Sequence, residues 1–143
     1  MLRLSKKIEY GLIALRHLAL LPDGESATAR EIAEEYGIPA DLCAKILSLL
    51  SKSGLARATE GMRGGYSIAR APAEISVHTV ILAIEGEQHL TECMEHGSCA
   101  LHDLCTIKDP LRLLQEKITR TLTQTTIAEM IEPIPNVLSL PAL

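Results

Sequence analysis

The chain has 143 residues, 47% of them apolar, with no Trp or Phe, three Tyr and a formal charge of −4. That length suits one domain with its own aliphatic core, without disulfides to hold it. The shortage of aromatic rings argues against a surface that stacks single-stranded bases.

No apolar run approaches the roughly 18 residues of a membrane-spanning helix, so no membrane association is expected. The opening residues 1–7 do not resemble a signal peptide. The four cysteines are therefore expected in a reducing cytoplasm, where metal or redox chemistry outranks structural disulfides. The charge is uneven: residues 1–70 carry ten Lys/Arg against eight Asp/Glu, whereas residues 71–143 carry four against ten. An acidic chain can still bind nucleic acid where its basic groups share one face.

In chain order, Ser5 is placed to cap a first helix in which Ile8, Leu12, Leu15 and Ala19 recur at helical spacing, ending before Pro22. Thr28-Ala-Arg-Glu31 has capping-box spacing and opens a short helix, with Ile32, Ala33 and Tyr36 inward, that stops at Gly37. Pro39 suits the first position of a third helix running to about Ser53, with Leu42, Ile46, Leu49 and Leu50 on one side. Two helices joined by a short Gly-containing turn form the helix-turn-helix pattern. Two strand-like pieces follow, residues 55–57 and 66–69, joined by the Gly-rich stretch 59–65 with Arg63 at its tip. Such a hairpin is the wing of a winged helix-turn-helix, and an Arg held there can enter a narrow minor groove.

A helix over residues 77–85 leads to Cys93, Cys99 and Cys105, spaced with five residues between neighbours. Thiolates are soft ligands that suit iron–sulfur clusters, zinc or copper(I), and three on one loop leave one position of a metal site for another donor. Cys43 lies among apolar helix residues and reads as a buried, inert thiol. Beyond the loop, Leu111, Leu114, Ile118, Leu122 and Thr125 form a stripe along a helix from near Pro110. That stripe can pack on its own domain or on a second copy. No nucleotide-binding glycine motif or catalytic dyad is evident, so no enzymatic activity is expected.

This order of elements, with the wing Arg63-Gly-Gly-Tyr66 and the evenly spaced cysteines, resembles the Rrf-two family of bacterial transcription regulators from Met1 to about Glu129. The resemblance implies a mainly α fold with a small β-hairpin wing. It divides the chain into a winged helix-turn-helix domain (1–85), a cysteine cluster loop (86–108), a long dimerisation helix (109–130) and an extended tail (131–143). It implies a homodimeric DNA-binding regulator, a repressor before an activator, that binds a double-stranded operator and responds to cluster status, redox state or nitric oxide. It also implies an iron–sulfur cluster on Cys93, Cys99 and Cys105, with [2Fe–2S] favoured over [4Fe–4S]. A zinc-stabilised or thiol-based regulator of the same fold is the alternative.

Some iron–sulfur members carry a histidine three residues after the last cysteine, where this chain has Lys108. Alignment with other members brings their carboxylate ligand onto Glu9, supplied by the partner subunit. His102, His96 and Asp103 are the next candidates. For DNA, the exposed N-terminal end of the third helix offers Pro39, Ala40, Asp41, Ala44 and Lys45 to the major groove. Thr28 and Arg30 are expected at phosphates, and Arg57, Arg63 and Gly64 belong to the wing.

Overall fold

The computed structural model describes residues 3–62, 64–97 and 99–132. Helix α1 (Lys6–Leu20) starts at Ser5, whose hydroxyl accepts the Ile8 amide as expected. Helix α2 (Ala29–Tyr36) carries the full capping box between Thr28 and Glu31 and ends at Gly37, which adopts the left-handed conformation that suits glycine. Helix α3 (Ala40–Lys52) begins one residue later than anticipated, with Pro39 as its cap.

Three inward assignments are corrected. Tyr36 lies at the surface, where its hydroxyl meets His17 Nδ1 at 2.9 Å and the rings stand edge to face. In α3 the buried positions are Cys43, Ile46, Leu47 and Leu50, with Leu42 and Leu49 only partly covered. Nearly every residue from Leu42 to Leu50 is apolar, so periodicity could not set the helix's rotation; packing on α1 and α2 does.

Strands β1 (Ala56–Thr59) and β2 (Gly65–Ile68) pair antiparallel from Ala56↔Ile68 to Thr59↔Gly65. Ala27 forms a bridge with Tyr66 through two backbone hydrogen bonds of 2.9 and 2.7 Å, tying the wing to the residue before the α2 cap. Helix α4 (Val77–Glu85) matches its expected limits. The cysteine segment is not all loop: α5 (Glu92–His96) contains Cys93 and ends at Gly97.

A single helix through residue 130 is also corrected. Helix α6 (Lys108–Gln124) stops before Thr125, and α7 (Ile127–Ile131) turns back onto the N-terminal domain. Thr126 caps α7 with a second capping box, while Ile127 is fully buried and its amide donates to the Ile75 carbonyl at 2.9 Å. Arg16 adds a 2.9 Å bond from Nε to the Met130 carbonyl. These contacts anchor α7 strongly enough to break the helix, since full burial of one isoleucine is worth about 1.5–3 kcal/mol.

The core joins α1, α2, α3, the base of the wing and α7 around Leu15, Leu47, Leu50, Leu55 and Ile75. A smaller cluster of Ile8, Val77 and Ile81 takes Leu122 of α6 at its edge. No described residue of α6 is buried. No helix among the described residues is long and apolar enough to cross a membrane.

Candidate nucleic-acid interface and cysteine cleft

The α2–turn–α3 unit presents Ala40, Asp41, Ala44 and Lys45 as exposed side chains at the start of α3, beside exposed Pro39. Asp41 lies exposed in the first turn of α3, which has no side-chain cap. Thr28 is partly committed: its amide donates to Glu31 Oε2 at 2.7 Å and its oxygen accepts the Glu31 amide at 3.1 Å. Its hydroxyl also acts on the Glu31 carboxylate, so a phosphate must compete for it. Arg30 is held one turn along its helix by Glu34 at 2.9 Å, and that contact raises its pKa further. A phosphate must therefore compete with Glu34 for this guanidinium.

On the wing, Arg57 is exposed on β1 opposite Ser67. Gly64 closes the tip, donating its amide to the Gly61 carbonyl at 2.9 Å. A Cβ on Gly64 would stand 2.6 Å from the Thr59 carbonyl oxygen, which only glycine avoids. Arg63 lies outside the described residues.

Cys93, Cys99 and Cys105 line one cleft of about 380 Å³ between α5, the following turns and the start of α6. All three are free thiols; Cys99 is exposed and the other two are half-buried. The Leu101 amide donates to Cys99 Sγ at 3.4 Å, and Thr91 Oγ1 lies 3.2 Å from Cys93 Sγ. Lys108 and Arg112, one turn apart on α6, add two cations to the wall. Among the described residues, no three His, Cys, Asp or Glu side chains converge closely enough to hold one metal ion.

Cys43 stands apart, 2% exposed in the core, where burial pushes its thiol pKa up. Glu9 sits in the first turn of α1 beside Lys6 at 2.5 Å, and is not among the residues lining this cleft. Of the loop candidates, His102 lines the cleft and His96 does not. His96 Nε2 instead lies 3.9 Å from Glu95, and Asp103 is engaged by His102.

Three cleft residues escaped the sequence reading. His89 and Gln115 also line the cleft, as does Arg112. Gln115 clamps the backbone on either side of His89: its side chain accepts from the Leu90 amide at 2.8 Å and donates to the Gln88 carbonyl at 3.0 Å. A glutamine 22 positions beyond Cys93 carries no local signal of that clamp. The basic position at 112 was visible, but only the α6 turn shows that it faces the thiols.

A helix-turn-helix with a hairpin wing defines a class of DNA-binding regulators. Residues 4–133 match the Rrf2 family, described as "Iron-dependent Transcriptional regulator", and the chain belongs to that family. It is 30% identical over 131 residues to the HTH-type transcriptional repressor NsrR of Streptomyces coelicolor, covering 91% of this chain and 88% of that one. Among solved structures it superposes on CymR, the global cysteine regulator of B. subtilis, with a TM-score of 0.73 at 23% identity, covering 92% and 97% of the two chains. The T. potens IscR structure gives a TM-score of 0.72 at 24% identity, covering 99% and 94%. The chain is thus a transcriptional regulator of the Rrf2 family.

Proposed function

We propose that this regulator is a homodimeric repressor whose operator affinity depends on an iron–sulfur cluster held by Cys93, Cys99 and Cys105, with Glu9 of a second copy as fourth ligand. The observation that carries the reading is the single cleft lined by three free thiols and two cations. The donor set fits the group. Thiolates are the usual ligands of iron–sulfur clusters, and Lys108 and Arg112 offset the negative charge of such an assembly. A multi-iron cluster spreads its thiolates over several atoms, whereas one zinc ion needs them to converge on a point.

When bound, the cluster supplies redox-active iron, and a carboxylate at its fourth position would leave more readily than a thiolate or imidazole. The chain's own residues supply the link to DNA. Ser5 of α1 bonds Glu85 at the end of α4, and Gln115 of α6 clamps residues 88 and 90 just ahead of Cys93. A change in the placement of the thiols thereby acts on α1 and α6 together. The uncovered apolar residues of α6, Leu113 and Leu114 among them, are the face for the second copy. Rotation between the two copies would alter the separation of the two reading heads, which operator spacing makes strict. In this reading Pro39, Ala40, Asp41, Ala44 and Lys45 meet the major groove. Thr28, Arg30 and Arg57 meet phosphates, and Arg63 with Gly64 enters the minor groove.

Similarity to a cysteine regulator, together with three free thiols, favours as a second reading a switch that works through the thiols alone. Anaerobic purification separates the two. The cluster reading expects a brown protein with equimolar iron and sulfide, colourless after Cys99→Ala. It also expects operator affinity to differ between loaded and unloaded protein at matched salt. Colourless wild-type protein without iron would sink it. Arg63→Ala should weaken operator binding while leaving the colour unchanged.

A further inference from the structure

Lys108 does more than replace a possible ligand. Its ammonium lies 2.6 Å from His102 Nε2, and His102 Nδ1 lies 3.2 Å from Asp103 Oδ1. An ammonium has three donors and no acceptor, so Nε2 must present its lone pair. The ring proton is then on Nδ1, where it donates to the Asp103 carboxylate. The two contacts agree on one tautomer and leave neither nitrogen free. Histidine binds a metal through an unprotonated ring nitrogen, and the only such nitrogen here is covered by Lys108.

Position matters as well. Lys108 is the first residue of α6, where the helix dipole favours an anion rather than a cation. Its side chain nonetheless lines the cysteine cleft together with His102. Solvation of a surface lysine does not require that placement.

We propose that Lys108 is a ligand-excluding residue. By occupying His102 Nε2 it keeps that histidine, the one between Cys93 and Cys105 that lines the cleft, off a metal centre bound by Cys93, Cys99 and Cys105, and so leaves the fourth position to another donor. The proposal rests on the cluster reading above, and its test separates the two.

The first measurement needs no metal. Two-bond proton–nitrogen NMR on the full chain labelled with ¹⁵N-histidine, reduced and chelator-treated, should show His102 as the Nδ1–H tautomer. Lys108→Met should move the unprotonated Nε2 resonance, which loses its hydrogen bond while Asp103 still holds the Nδ1 proton, and Lys108→Arg should keep the wild-type position. An Nε2–H tautomer in wild type, or an unchanged spectrum in Lys108→Met, overturns the proposal whether or not a cluster assembles.

The second measurement uses reconstituted, reduced protein and its ¹⁵N hyperfine coupling. A directly bound histidine nitrogen should be absent in wild type, appear in Lys108→Met and vanish again in Lys108→Met with His102→Asn. A coupling in wild type that His102→Asn removes overturns exclusion, as does no coupling in Lys108→Met. His89→Asn serves as the control, because His89 also lines the cleft.

Discussion

The hydroxyl of Ser5 donates to the Glu85 carboxylate at 2.5 Å while its oxygen accepts the Ile8 amide at 3.4 Å. One side chain therefore closes the start of α1 and ties it to the last residue of α4, next to the segment that leads into the cysteines. Ser5→Ala loses both contacts and should lower stability by about 1 kcal/mol, the usual worth of a serine cap. Urea titration checks the magnitude. Faster amide exchange at residues 86–90 as well as in the first turn of α1 checks the link.

Gly65 shows where the wing tolerates no side chain. A Cβ there would stand 2.8 Å from the carbonyl carbon and oxygen of Ala27, across the bridge that holds the wing to the N-terminal domain. Gly65→Ala must push those backbones apart, at about 1–3 kcal/mol by analogy with overpacked sites. Thermal melting should register the loss. Operator binding should fall further than stability alone explains, since the tip moves with the strand.

Acid should act through the α2 capping box. The Thr28 amide, and then its hydroxyl, hold the Glu31 carboxyl below its ordinary pKa of 4.5. A group with a depressed folded-state pKa adds stability that is complete above the unfolded value and fades as pH falls through the lower folded one. Glu31→Gln should therefore have a flatter stability profile below about pH 4.5 than wild type. Parallel curves for the two proteins in that range would remove Glu31 as the source.

The thiols should sort into two groups. Cys43 is 2% exposed and its pKa is raised by burial, so little reactive thiolate forms there. Under native, reducing, chelator-treated conditions, iodoacetamide followed by peptide mass spectrometry should label Cys99 readily and leave Cys43 unmodified. Cys43 should react only after unfolding in denaturant.

For DNA, Lys45→Ala removes an exposed cation at the start of α3. If that cation meets a phosphate, the slope of log affinity against log salt should shrink by about 0.9. If it reads a base instead, the slope should hold and discrimination against a substituted operator position should drop by about 1–3 kcal/mol. Fluorescence anisotropy across a salt series distinguishes the two.

Local features were legible in the sequence. Ser5, Thr28 with Glu31, and Gly37 are signals read within four residues, and the structure uses each as spacing implied. The helix over 77–85 and the wing hairpin, one or two residues displaced, belong to the same class. Three even cysteines stood out as a set for the same reason, and the fold places all three on one cleft.

Tertiary packing decided what local pattern left degenerate or silent. The apolar run in α3 allowed several rotations, and packing chose Leu47 for the core, while Cys43 is buried as its apolar neighbours implied. The C-terminal helix broke at Thr125 because burying Ile127 against the Ile75 segment outweighs continuing the turn. Gln115 reached the cleft through bonds to residues 25 and 27 positions earlier in the chain, beyond any periodicity. A spacing rule could register that Lys108 is not a histidine. Only the fold brought its ammonium onto the ring of His102, because that contact depends on how the turn after Cys99 meets the first residue of α6.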